Sequence, residues 1–129
     1  GSVEVGYAPM QPTQAGIETG IFARPMKVFQ WHQDGISLPD DPDINLLAKS
    51  DLFPVQAFTY RSHILGVQFH PEVTRAMWHR WIIRAHAMLE RPCAQPQRAQ
   101  LDDRMIHDRE TRIWLDKIMP AWLDKSLLS

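Results

Sequence analysis

The sequence predicts an α/β fold in which short strands and a hairpin come first and two C-terminal helices follow. From residue 3 to about residue 69, short apolar runs are separated by Pro, Gly and Asp, as strands are by turns. Over residues 73–89, and again over about 101–123, apolar side chains recur every three or four positions, which is typical of amphipathic helices. We therefore expect residues 1–90 to form one unit, and residues 91–129 to form a linker and a helical extension.

Four segments of the first part of the chain are candidate strands. Residues 3–7 alternate apolar and polar side chains, and residues 27–31 form a second run that ends before the turn former Asp34-Gly35. Residues 55–60 and 64–69 flank a short polar turn, and two β-rich runs so close together predict an antiparallel hairpin.

Each helical segment has a predicted apolar stripe. The stripe of the first comprises Val73, Met77, Trp81, Ala85 and Met88, and that of the second comprises Met105, Trp114, Ile118, Met119 and Trp122. Asp102 and Asp103 are expected near the start of the second helix, where negative charge is favoured. Pro120 is expected to kink or end that helix.

Composition and charge exclude several classes of protein. The 129 residues are 44% apolar and 22% charged, with 14 basic and 15 acidic side chains, as in an ordinary soluble domain. The near-zero net charge argues against nucleic acid or a membrane as a partner, and we expect no signal peptide or membrane span. Cys93 is the single cysteine, so an internal disulfide is impossible and a cytoplasmic location is predicted.

The segment of residues 66–72, Gly-Val-Gln-Phe-His-Pro-Glu, carries the strongest chemical signal. An apolar strand ends at His70, because Pro71 has no N–H to donate to a sheet. Residues two apart in an extended segment project to the same side, so Glu72 can reach the His70 ring. A carboxylate on one ring nitrogen fixes the tautomer and leaves the other nitrogen as a base. On spacing alone, a turn with a solvated charge is the alternative.

The same segment matches, letter for letter, the signature of class I glutamine amidotransferases, in which this His and Glu complete a Cys-His-Glu triad. Residues 3–13, 28–39 and 47–58 resemble further segments of that family in the same order. Residues 94–115 resemble the tail of stand-alone bacterial GMP-synthetase-type amidotransferase-like proteins. The resemblance implies the C-terminal half of a flavodoxin-like class I amidotransferase domain.

The resemblance implies roles for particular residues. His70 and Glu72 would be catalytic, as base and orienting carboxylate of a site that hydrolyses the side-chain amide of glutamine to release ammonia. Residues 28–34 resemble the stretch whose backbone lies along the bound glutamine, so Trp31, His32 and Gln33 are predicted to bind substrate. His32 would act there as a positioning group; the alternative is a satisfied polar side chain at a strand end.

The family's nucleophile precedes all of these segments, on a Gly-x-Cys-x-Gly turn. Cys93 follows His70 and lacks flanking glycines, so we expect it to be structural and the chain alone to be inactive. The implied partner is an N-terminal half that carries the Cys, either as missing residues or as a companion chain. An open sheet edge is expected to receive it.

Other partners and competing functions follow from the same resemblance. The substrate would be glutamine or another γ-glutamyl compound, and an ammonia-accepting synthetase is a further possible partner. A γ-glutamyl hydrolase of the same fold and a non-catalytic interaction module are the alternative functions.

The sequence carries no motif for a metal or a nucleotide. His79 and His86 lack companion ligands and no Gly-rich phosphate loop is present, so we expect no metal, cofactor or nucleotide site.

Overall fold

The structure is a computed structural model that describes residues 1–124. In chain order the elements are strand β1 (Glu4–Pro12), helix α1 (Gln14–Glu18), strands β2 (Met26–His32), β3 (Ile44–Lys49), β4 (Ala57–Tyr60) and β5 (Ile64–Val67), helix α2 (Arg75–Arg84), a 3₁₀ helix (His86–Glu90) and helix α3 (Gln97–Leu123). The predicted α/β class is confirmed, and the longer helices α2 and α3 follow the strands.

All five strands belong to one antiparallel sheet with the order β2-β1-β3-β4-β5. The long strand β1 joins its two parts: residues from Glu4 to Met10 pair with β2, whereas Gln11 and Pro12 pair with β3. Strands β4 and β5 form the predicted hairpin. Within residues 1–124, β2 and β5 are the outermost strands of the sheet, and the His70 N–H donates to the Phe29 carbonyl of β2 at 2.9 Å. That an edge of the sheet receives a further segment stays a prediction.

Apolar side chains form two clusters on the sheet. The larger cluster contains Phe22, Val28 and Leu47 from the strand region and Ile118 from α3. The smaller contains Tyr7, Phe29, Trp78 and Ile82. Helix α3 thus packs on the same core as the strands, while the boundary proposed at residue 90 stays a prediction and residues 125–129 lie outside the described part.

Helix α1 and strand β3 are two elements that periodicity did not predict. The side chain of Thr13 caps α1 by accepting a hydrogen bond from the Gly16 N–H at 3.1 Å. A Cβ atom on Gly16 would lie 2.1 Å from the Leu47 carbonyl oxygen, so only glycine permits this close packing of α1 on β3.

The predicted bounds and buried faces of the C-terminal helices were partly wrong. The α-helical hydrogen bonding of α2 ends at Arg84, and the chain continues as a 3₁₀ helix, because Ala85 adopts φ −121°. The fully buried side chains of α2 are Trp78 and Ile82, one position beyond the predicted stripe members Met77 and Trp81. The predicted stripe members Val73 and Trp81 are half-buried and pack against the smaller cluster.

Helix α3 begins at Gln97, so Asp102 and Asp103 lie beyond its first turn rather than at its start. It continues past Pro120 to Leu123. Met105 is 84% exposed and lies outside the core, because the face of α3 that packs against the rest of the protein carries Thr111 and Ile118 instead.

Within the described residues, no helix combines the length and the apolarity that a membrane crossing requires.

The burial of Ile118 predicts that α3 contributes to the stability of the whole domain. Ile118→Ala should lower the free energy of unfolding by about 2–5 kcal/mol, because it leaves a cavity in the larger cluster. Ile113→Ala on the same helix, where the side chain is 58% exposed, should change it far less. Urea unfolding followed by circular dichroism measures both, and equal effects would show that α3 is not part of the core.

Candidate active site

The backbone of His70 is held against strand β2. Pairing of β5 ends at Val67, and the Gln68 N–H then donates to the Gln56 carbonyl at 2.8 Å. The His70 N–H donates to the Phe29 carbonyl at 2.9 Å, and Pro71 supplies no further donor. His70 is therefore fixed beside the middle of β2 by a contact between residues far apart in the sequence.

The predicted contact between His70 and Glu72 is present. Nδ1 of His70 lies 2.8 Å from Oε1 of Glu72, and the side chains are 31% and 52% exposed. An ionised carboxylate only accepts hydrogen bonds, so this contact places a hydrogen on Nδ1. Among the described residues Nε2 has no hydrogen-bond partner, which leaves it available for a reacting group. The catalytic role itself remains a prediction.

An aromatic cluster supports the His70 ring from one side. The ring meets Trp81 edge-on with a centroid distance of 5.0 Å, and Trp81 in turn lies 5.9 Å from Trp31. Phe29 contacts both tryptophans at 6.1–6.2 Å. Packing of this kind restricts the rotamer of the imidazole, so the ring orientation is set by α2 and β2 together.

His32 points to the opposite face of β2 from Trp31, as strand alternation requires. Its Nε2 lies 3.0 Å from Oε2 of Glu4 and 3.0 Å from Oε1 of Gln30, and its Nδ1 lies 3.1 Å from the carbonyl oxygen of Asp34. The His32 and Glu4 side chains are only 10% and 4% exposed. Both ring nitrogens thus face oxygen atoms of the protein.

The Glu4 carboxylate is the centre of a buried polar network. Gln56 Nε2 donates to Oε2 of Glu4 at 2.7 Å, and Ser50 Oγ donates to Oε1 at 2.8 Å. Gln30 Nε2 donates to Oε1 of Gln56 at 2.7 Å. Gln30 and Gln56 are fully buried, and the network satisfies their polar groups within the sheet.

The structure separates the three side chains predicted to bind substrate. Trp31 joins the aromatic cluster beside His70, whereas His32 joins the Glu4 network. Gln33 lies at the exposed surface, where its Oε1 accepts from Nη1 of Arg91 at 3.1 Å. Their side chains therefore do not form one pocket, and a shared role would have to use the backbone of this segment.

Cys93 lies in the exposed turn before α3, with a positive φ of 70°, and is not among the contacts of His70. Within residues 1–124, no group of three or more His, Cys, Asp or Glu side chains is placed to hold a metal ion.

A cavity that no sequence pattern indicates lies beside His70. It has a volume of about 360 Å³ and lies between the segment at Pro71, the start of α2 and the middle of α3. Its charged lining includes Arg104, Asp108 and Arg112, which in the sequence look like ordinary charges of a helix. Only the packing of α3 against β2 and α2 shows that they meet beside a histidine.

Comparison with solved structures identifies the fold. A glutamine amidotransferase from Methylobacillus flagellatus superposes with a TM-score of 0.84 at 19% identity, over 96% of this chain and 53% of that one. A glutamine amidotransferase from Thermotoga maritima gives 0.57 at 25% identity, over 98% and 50%. A protein designated SMU.1228c gives 0.75 at 21% identity, over 99% and 53%.

These similarities confirm the predicted fold, the C-terminal half of a class I glutamine amidotransferase domain. The chain spans about half the length of the solved structures that it resembles. No protein-family model matches the chain, and no curated protein matches its sequence.

The buried network predicts a large effect of removing its central carboxylate. Glu4→Ala should lower the free energy of unfolding by roughly 3–5 kcal/mol, because His32, Ser50 and Gln56 lose their common acceptor inside the sheet. Glu90→Ala, at an exposed position of the 3₁₀ helix, is the matched control. Urea unfolding of both variants measures the difference, and a loss for Glu4→Ala no larger than the control's would show that the network does not stabilise the fold.

Proposed function

We propose that this chain, which has the fold of half an amidotransferase domain, supplies the His-Glu part of a Cys-His-Glu site that hydrolyses the glutamine side-chain amide and releases ammonia. The observation that carries the proposal is the 2.8 Å contact between Nδ1 of His70 and Oε1 of Glu72, at the end of the Gly-Val-Gln-Phe-His-Pro-Glu segment. The nucleophile would come from an N-terminal half that completes the domain.

The proposed reaction has two stages. A Cys thiolate attacks the amide carbon of glutamine, and the His70 imidazolium protonates the departing nitrogen, so ammonia leaves and a thioester forms. The neutral ring then takes a proton from water, and the resulting hydroxide attacks the thioester and returns the thiolate with glutamate as product. Glu72 keeps the hydrogen on Nδ1 throughout, so that Nε2 exchanges the protons.

We propose that residues 31–34 contact the substrate through their backbone. His32 supports this role as a positioning residue, because its ring links the Asp34 carbonyl oxygen to the buried Glu4 carboxylate. Trp31 lies on the His70 side of β2, and its contact with Trp81 orients the catalytic ring. The Gln33 side chain is at the surface and contacts Arg91, so only its backbone would take part.

The proposed partners follow from the architecture. The N-terminal half would complete the sheet at an open edge, since unpaired strand edges favour pairing with another segment. Ammonia would pass to a synthetase domain or subunit. A reducing, cytoplasmic environment fits a site that needs a free thiolate and a chain whose one cysteine is exposed.

The activity prediction compares the chain alone with the chain combined with an N-terminal half that carries the Cys. The chain alone should release no ammonia from glutamine, and the combination should restore turnover. His70→Ala in the combination should lower kcat at least about 1000-fold, because nucleophile and base act as a unit. Coupled measurement of ammonia and glutamate gives the rates.

Two control variants test whether the loss of activity is specific to His70. His79→Ala, at an exposed position of α2, and Cys93→Ser should leave the restored rate nearly unchanged. Turnover by the chain alone that disappears in Cys93→Ser would make Cys93 the nucleophile and refute the proposal. Release of an amine from γ-glutamyl amides, with no ammonia from glutamine, would instead indicate a γ-glutamyl hydrolase.

A further inference from the structure

The cavity beside His70 has a strongly basic lining. Its charged side chains other than His70 are Arg75 at the start of α2 and, on α3, Arg104, Asp108, Arg109 and Arg112. Arg104, Asp108 and Arg112 follow one another at intervals of four residues, so they project from one face of α3. Four guanidinium groups and one carboxylate thus surround a space of about 360 Å³.

The single carboxylate does not neutralise this charge. Oδ1 of Asp108 accepts a hydrogen bond from the Tyr7 hydroxyl, and Oδ2 lies 2.8 Å from Nη2 of Arg104. Burial of the Tyr7 ring, together with this hydrogen bond, raises the pKa of the Tyr7 hydroxyl, which therefore stays a donor to Asp108. Within residues 1–124, Arg75 and Arg112 form no ion pair.

Two residues of the lining carry buried donors that lack partners among the described residues. The Arg104 side chain is only 10% exposed, and its Nη1 is buried without a hydrogen-bond acceptor. The hydroxyl of Thr111, a residue that is 8% exposed, is likewise buried and unpartnered. Leaving a buried charged donor without an acceptor costs free energy, so such groups are usually found where a ligand or another group supplies the acceptor.

The start of α2 adds to the attraction for an anion. This ten-residue helix has no acidic residue in its first turn, and the Thr74 side chain caps only the Met77 N–H, at 3.2 Å. The N-terminus of a helix carries a partial positive charge and presents free N–H groups. Thr74 and Arg75 both line the cavity, so the start of α2 borders the same space as the arginines of α3.

We propose that this cavity is an anion-binding site for the phosphate group of a small molecule, held by Arg104, Arg112, Thr111 and Arg75. Hydrogen-bond donors from two helices border this space, and their number exceeds the number of hydrogen bonds that the two oxygens of a carboxylate can accept. Phosphate offers more acceptor oxygens and a second negative charge. The site requires no Gly-rich loop, so no sequence motif marks it. The inference goes beyond the proposed glutaminase function and is tested without any activity measurement.

The test is calorimetric titration of the chain with inorganic phosphate at constant pH and ionic strength, with chloride as the balancing anion. Saturable binding is expected, and Arg112→Gln or Arg75→Gln should weaken it about tenfold each, because each removes a charge-assisted hydrogen bond. Arg80→Gln, an exposed arginine of α2 outside the cavity, should leave the affinity unchanged within about twofold.

Arg104→Met should abolish phosphate binding, and circular dichroism shows whether that buried variant folds. If it does not fold, the exposed positions 75 and 112 decide the question. Absence of saturable binding, or equal loss in Arg80→Gln, would overturn the proposal. Acetate titrated in the same way should bind at least tenfold more weakly, since a monoanion satisfies fewer donors; acetate binding as tightly as phosphate would overturn the assignment to phosphate.

Discussion

The buried carboxylate of Glu4 is the constraint on which the arrangement of the sheet depends. A charge that is 4% exposed is compatible with folding only if polar groups surround it. His32 from β2, Ser50 after β3 and Gln56 before β4 provide those groups, so one side chain of β1 connects all three neighbouring regions. The observed register of these strands brings all of these partners to Glu4.

The two faces of strand β2 contact different parts of the structure. His32 and Gln30 point into the polar network, which anchors the strand, while Trp31 and Phe29 point toward His70 and Trp81. The Phe29 carbonyl also receives the His70 N–H. The backbone of the candidate base is therefore held by a strand whose other face contributes His32 and Gln30 to the Glu4 network.

The surroundings of His70 combine an acidic and a basic side. Glu72 lies on one ring nitrogen at 2.8 Å, whereas the adjoining cavity contains the arginines of α3 and the first turn of α2. An anion in that cavity would offset the positive charge of the arginines beside the His70 ring.

Local signals in the sequence determined much of the fold and half of the candidate site. Strands β2, β4 and β5 and the two C-terminal helices follow from short-range patterns, and His70 and Glu72 meet because they lie two residues apart in an extended segment. Helix α1 was missed because it depends on the Thr13 cap and on the packing of Gly16 against Leu47.

Only the tertiary structure decided which side chains share a surface. Strand pairing turned His32 toward Glu4, 28 positions away, and Trp31 toward Trp81, so the adjacent residues predicted to bind substrate were separated. Helix packing brought Arg104 and Thr111 of α3 beside His70. Such contacts join residues that are distant in the sequence. Which of these contacts form depends on the burial and hydrogen bonding of the whole core rather than on any local pattern.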